Sequence, residues 1–527
     1  MSRMNPRELL SLSHGRDNSN HQRQKERDPR DRRAPPGFRK PMLVNYLQAA
    51  ENGVLAVLKH HLEVARDVTV DEQCEETDRT ALMLACMNGH QHCVEYLVKR
   101  GANIHATTYV GTTAILAAAG VARNLEIVQY LLDKGADIES ADHAFFTPLI
   151  ATAEKGSIQV VQYLLDHGAN VQAVSRYGFS SLNYAVANGH VEIAELLIER
   201  NADVQRKDGD GFTPLMRGTT NGYVHICEML VDRRARVNDV DDIGGNTALH
   251  FATAYPQLTA YLLRNGAHHS VTNKNGDTPL MMAATRGDAA SLKHLVAAGA
   301  SIHYINNFDQ SALSLAAINN RVQVFLHLLE LGASEDVVDY DGSTIFMLAA
   351  GAGAVEVVAY LLRRSMPTRL KQSTRDAHSE RRRSTTRRVD RVAITYYLQD
   401  KQALIETKNH RGDTALLLAA KNKQLEMIIY LGEEGANLEA QNHDGTTALM
   451  SAARNGDLDL VKYLCEVGVV DLDVVNNDGK TAAHLARNVD TANLLEYFKE
   501  AREMARVKPE FYVSTKVLNE RGRLIKA

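Results

Sequence analysis

The chain has 527 residues, a formal net charge of −4, no Trp and 6% aromatic residues. A core without Trp must be built from Leu, Ala, Val and Ile, which suits packed helices. The five cysteines (Cys74, Cys86, Cys93, Cys227 and Cys465) follow no disulfide spacing, which excludes a disulfide-stapled scaffold and predicts reduced thiols and a cytoplasmic or nuclear address.

Charge is spread unevenly along the chain. Residues 1–41 carry eleven Lys/Arg against five Asp/Glu, residues 363–391 carry eleven against three, and the remainder is left near −18. Such a body favours basic partners and disfavours nucleic acid along its main surface. Residues 1–41, with Pro29, Pro35, Pro36 and many charges, are predicted to form a disordered basic arm. They lack the apolar stretch of a signal peptide, and Ser2 excludes myristoylation.

Helical patterning starts at residue 42, where MLVNYLQAAENGVLAVLKHHL pairs small residues (Ala49, Ala50) with a breaking Gly53. This stretch has no turn signal before it, so residues 42–76 are predicted to be an N-terminal capping unit. From there the chain is periodic. Thr80, Thr113, Thr147, Ser180, Thr213, Thr247, Thr278, Ser311, Thr344, Thr414, Thr447 and Thr481 recur at gaps of 33, 34, 33, 33, 34, 31, 33, 33, 70, 33 and 34. A fixed period of this size marks an array of stacked units.

Every unit has one internal order. A turn such as Asp210-Gly211 comes first, then the Thr or Ser that can cap a helix. A short helix with small residues follows, for example Ala283-Ala284, and a Gly such as Gly89 or Gly189 breaks it. The second helix is apolar at i, i+3 and i+4, as in Ile193, Leu196 and Leu197, and a Gly-Ala pair such as Gly435-Ala436 closes it. Repeats are expected over 77–365 and 391–498, with a charged helix and tail over 499–527.

The 70-residue gap equals one repeat plus four residues. Val392–Leu398 lies 33 residues before Leu425–Leu431, which predicts a degenerate repeat whose first helix is overwritten by a basic, mobile insert over 366–390. One continuous array is expected across it, with two arrays joined by a linker as the rival reading. Within the insert, Arg381, Arg382, Arg383, Arg387 and Arg388 flank Ser384, Thr385 and Thr386. That pattern suits a basophilic kinase, a nuclear localisation signal or a plain solvated loop. Ile345 to Leu362 is apolar except for Glu356, but it falls in repeat register and is read as repeat, with no transmembrane segment.

These blocks resemble the ankyrin repeat, a β-turn followed by two antiparallel helices. Asp210-Gly211-Phe212-Thr213-Pro214-Leu215 and Gly276-Asp277-Thr278-Pro279-Leu280 match its signature, and Thr247-Ala248-Leu249-His250 keeps its His. The resemblance covers residues 42 to about 498 and implies an all-α ankyrin-repeat solenoid.

No catalytic or cofactor motif is complete, so no enzyme activity and no cofactor are expected. Gly479-Lys480-Thr481 has the tail of a phosphate loop, but Val474 stands where that loop needs Gly. Asp208 to Thr219 begins like a calcium loop and ends in Thr where a bidentate Glu is required. Cys86, His90, His92 and Cys93 could be written as a metal cluster, yet Cys86 and His90 occupy ordinary repeat positions, so no metal is expected.

The resemblance implies binding through turn tips and first helices, the concave groove of such arrays. Phe146, Phe179 and Phe212 precede the capping residue in three successive repeats, with Tyr109, Phe145, Tyr177 and Asp210 in the turns beside them. Aligned aromatics of this kind serve either as partner anchors or as turn packing. The three rings are expected to form a ladder. The function expected is a monomeric scaffold or adaptor for proteins with basic and apolar segments. Two alternatives stand beside it: a regulator contacting nucleic acid or anionic membrane through its arm and insert, and a substrate receptor of a ubiquitin ligase.

Overall fold

The computed structural model describes residues 41–121, 124–364, 400–467 and 470–507. Residues 1–40 of the expected arm, the whole insert with Arg381–Arg383, Ser384–Thr386, Arg387 and Arg388, and the last twenty residues lie outside them. The described residues are helix pairs joined by turns, and the β pairing among them is limited to isolated bridges at finger bases, such as Val174 with Ser180. No described helix is long and apolar enough to cross a membrane.

Two compact units divide the chain, residues 1–103 and 104–527. In the first, helix Pro41–Glu51 is followed by Leu55–Lys59, which continues into a π-helical turn, His60–Ala65. The Thr80 repeat, with helices Ala81–Met87 and Gln91–Lys99, completes the described part. Cys86 and Cys93 are buried in this helix pair, and burial pushes both thiols above their ordinary range. They serve as core side chains.

The second unit holds the repeats from Thr113 to Thr481. Local chemistry starts each first helix: Thr213 sits in extended backbone and its Oγ1 accepts from Met216 N at 3.3 Å. The equivalent Thr or Ser precedes the first helix of every repeat in this unit. Leu182, Leu215, Leu249 and Leu280 fill the core behind these caps. In the second helices Ile193 and Leu197 are buried, whereas Leu196 is half-exposed.

The breaking glycine answers to two demands. Gly222 takes a left-handed φ of 75°, and a Cβ built there would stand 2.3 Å from Cε1 of Tyr255, the residue before the next repeat's second helix. Gly156 and Gly189 meet His190 and Tyr223 in the same way. Where a side chain replaces this glycine, at Asn320 and Lys423, the residue at the overlying position is the shorter Ala354 or Asp457. The pairing is thus steric as well as conformational.

The 70-residue gap ends differently from the expectation of an intervening degenerate repeat. The Thr344 and Thr414 repeats are direct neighbours: His410 N donates to Asp341 O at 2.9 Å, and Asn422 Nδ2 donates to Gly351 O at 2.8 Å. Helix Val355–Arg364 packs against Leu425–Glu433 and occupies the second-helix slot expected for Val392–Leu398. Of the region expected to hold the degenerate repeat, residues 400–406 are helical and lead into the Thr414 finger, with Ile405 buried. The Thr344 and Thr414 layers therefore touch directly, and residues 365–399, with Val392–Leu398, lie outside the described residues.

At the C-terminal end the last repeat runs into the charged helix without a break. The second helix of the last repeat and the charged helix are one element, Val489–Val507. Arg502 donates to Cys465 O at 2.8 Å and so ties this helix to the preceding repeat.

Candidate interaction site on fingers and first helices

The turn before each helix is built by one acceptor. In the Thr213 repeat, Asp208 Oδ1 accepts from the N–H groups of Asp210 and Phe212, each at 3.0 Å, while Gly211 turns the chain at φ 80°. Asp208 thus shapes its own finger, and Gly479, at φ 72°, turns a later one. Neighbouring fingers are joined through backbone: Gly209 N donates to Tyr177 O at 2.8 Å, and Arg176 N to Ala144 O at 2.7 Å. Side chains at one finger position are thereby repeated along one edge.

Phe146, Phe179 and Phe212 are half-exposed on that edge, but they do not form a ladder of their own. Repeats are spaced by about a helix-packing distance, near 10 Å, whereas rings meet at about half that. One further group fills each gap. Tyr184 lies 5.2 Å from the Phe146 ring and 5.1 Å from Phe179, centre to centre. The Arg217 guanidinium lies 5.0 Å from Phe179 and 4.3 Å from Phe212. Phe251 lies 5.1 Å beyond Phe212.

Tyr184, Arg217 and Phe251 share one register, four residues past the capping Ser or Thr. An apolar residue before the cap that meets the fourth helical residue is a known clasp on helix entry. Their sequence signal lies at this helical position and not in the finger. The same position further along holds Met282, Leu315, Leu348 and Leu418, all half-exposed. They make an apolar strip that the finger positions alone did not reveal.

Arg217 also carries the charge balance of this face. Its Nε donates to Asp208 Oδ2 at 2.7 Å, and a terminal nitrogen donates to Asp210 Oδ2 at 2.8 Å. The Asp208 side chain is fully buried and Arg217 is 16% exposed. Asp210 is therefore already paired. Tyr184 is buried, which pushes its hydroxyl up to about 12.

Tyr109, Phe145 and Tyr177 stand apart from this row at the fingertips and are 68%, 58% and 55% exposed. Phe145 holds the place taken by glycine in most fingers and keeps the left-handed backbone, at φ 58°. A ring there is strained. Ile243, Phe308 and Tyr340 are exposed on later fingers.

Comparison with known proteins agrees with this geometry. The family profile for ankyrin repeats in three copies matches residues 47–142, 138–208, 249–339, 280–376 and 416–504, and the single-repeat profile matches 210–242. The chain is similar to the human ankyrin repeat and KH domain-containing protein 1, at 40% identity over 68 residues. It is also similar to the Drosophila melanogaster ankyrin repeat and KH domain-containing protein mask, at 37% over 86 residues. These matches cover 13% and 16% of this chain and 2% of each relative. With capped fingers, paired helices and profile matches along most of its length, the chain belongs to the ankyrin-repeat family.

Proposed function

We propose that this protein is a non-catalytic scaffold that holds partner proteins against its fingers and first helices. Ankyrin repeats are a protein-interaction module, and one observation carries the reading here. A continuous row runs from Phe146 through Tyr184, Phe179, Arg217 and Phe212 to Phe251 and is left half-open, with Tyr109, Phe145 and Tyr177 standing free beside it. Exposed rings on a rigid support offer anchor area at little entropic cost. The acidic body favours partners with basic and apolar side chains.

Affinity purification with full-length protein tests it. Tyr177→Ala removes a free ring without touching the core and should cost captured partners at least about tenfold in affinity, as anchor truncations do. Leu197→Ala, deep in a second helix, should damage folding first, by about 2–5 kcal/mol. A Tyr177→Ala/Tyr109→Ala protein that retains every partner at parental affinity would move the site off this face.

A further inference from the structure

The first helices change character along the second unit. From the Thr278 repeat to the Thr414 repeat, the fourth residue past the cap is Met282, Leu315, Leu348 and Leu418 in turn, each half-exposed. These first helices pack against one another in sequence, so the four side chains fall on one line at steps of about 10 Å. In the next repeat the position holds buried Ser451, and the strip ends.

Cations take over there. A first helix presents the same face again three residues on, and that position holds Lys421 after Leu418 and Arg454 after Ser451. Lys421 is neutralised, since its Nζ donates to both oxygens of buried Asp413 at 2.7 and 2.6 Å. Arg454 is exposed, and so is Lys480, which holds the place before the cap that Phe212 holds in its own repeat. Among the described residues no carboxylate pairs with Arg454 or Lys480. On this face an open apolar strip is thus followed by two uncompensated positive charges.

We propose that this face receives an amphipathic helix of a partner protein, with apolar residues seven apart on Met282, Leu315, Leu348 and Leu418 and an acidic end paired with Arg454 and Lys480. Seven residues advance a helix by about 10.5 Å, which matches the repeat spacing. An extended segment would lay unpaired backbone N–H and C=O groups on Leu and Met side chains, whereas a helix satisfies its own. Four such steps, about 28 residues, carry the helix from Met282 to Arg454. Charge at one end fixes its direction along the strip. The proposal rests on the scaffold reading, but it uses repeats and a partner chemistry different from those of the aromatic row.

Full-length protein and fluorescence anisotropy test it. The probe is a labelled helical peptide of Ala and Gln, about 28 residues long, with leucine at every seventh position and glutamates at one end. Comparison peptides carry the glutamates at the other end, carry glutamines in their place, or scatter the leucines around the helix. One of the two glutamate peptides should bind at least about tenfold tighter than the glutamine peptide, as expected for charge-assisted pairs, and added salt should shrink that margin. Arg454→Gln combined with Lys480→Gln changes two side chains without partners in the fold, so the melting temperature should stand while the margin disappears. Leu348→Ser should weaken the tighter glutamate peptide at least about tenfold. Equal binding of the glutamate and glutamine peptides, no binding of any peptide, equal binding with scattered leucines, or an unchanged margin in the double variant would each overturn the proposal. So would self-association of the protein that Leu348→Ser abolishes, because the strip would then hold a second copy. Loss of cellular partners on Tyr177→Ala, with the helical peptides unbound, would overturn this site and leave the scaffold reading in place.

Discussion

Replacing Arg217 with Ala is the perturbation that questions this face most directly. The Asp208 carboxylate is fully buried and Arg217 is 16% exposed, so the pair is held out of water. Removing one member of a buried ion pair costs about 3–5 kcal/mol, because the remaining charge is uncompensated. Asp208 Oδ1 keeps its two backbone N–H bonds, which lowers the cost by roughly 1–2 kcal/mol. The guanidinium also leaves two ring faces, each worth about 0.5–1 kcal/mol. The last two terms offset each other, and the expected loss is about 4 kcal/mol. Asp210→Ala removes only the arm of the pair whose carboxylate is 46% exposed, and should cost less than about 1 kcal/mol. Asp208→Asn combined with Arg217→Met removes both charges, keeps a carbonyl for the finger, and should return to within about 1.5 kcal/mol of the parent. Urea unfolding measures all three, and hydrogen exchange at the Phe212 amide assigns the loss to this finger. Equal losses for Arg217→Ala and Asp210→Ala would refute the claim that buried Asp208 depends on Arg217.

Three further outcomes are expected. Gly222→Ala should cost about 1–2 kcal/mol for its left-handed backbone and more for the clash with Tyr255, whereas Gly266→Ala, with φ 82° and nothing within 4 Å of a new Cβ, should cost only the first part. Thermal unfolding compares them, and adding Tyr255→Ala should erase the difference. His250 is held below its ordinary pKa by burial, so the unfolded chain takes up a proton there before the folded one does. Its contribution therefore makes stability fall as pH drops below about 6.5, and His250→Asn, copying Asn183 in the Ser180 capping box, should flatten that slope in urea titrations at several pH values. Deleting residues 366–390 should leave the melting temperature nearly unchanged, because the Thr344 and Thr414 repeats touch without them. A loss equal to that from removing a whole repeat would show that the segment packs in the stack.

Local structure was legible in the residues. A capping Thr or Ser, a left-handed glycine and an apolar face at helical spacing each act within a few residues of themselves, so a single repeat read alone already states its helix starts and ends. Repetition then multiplied the signal until the family was plain. The aromatic finger positions were legible for the same reason, since Phe146, Phe179 and Phe212 share a register.

What joins one repeat to the next was decided only in three dimensions. Tyr184 and Arg217 enter the gaps between those rings because repeat spacing exceeds ring-contact distance. Asp210 looks free as a sequence letter, yet it is held by a side chain seven residues away. Counting residues across the 70-residue gap suggested an extra layer, because an insertion close to one period in length keeps later repeats in register. Stacking follows surface fit, and the Thr344 and Thr414 layers fit each other. Register along the chain records length alone, while the order of layers is set by which helix faces can bury one another.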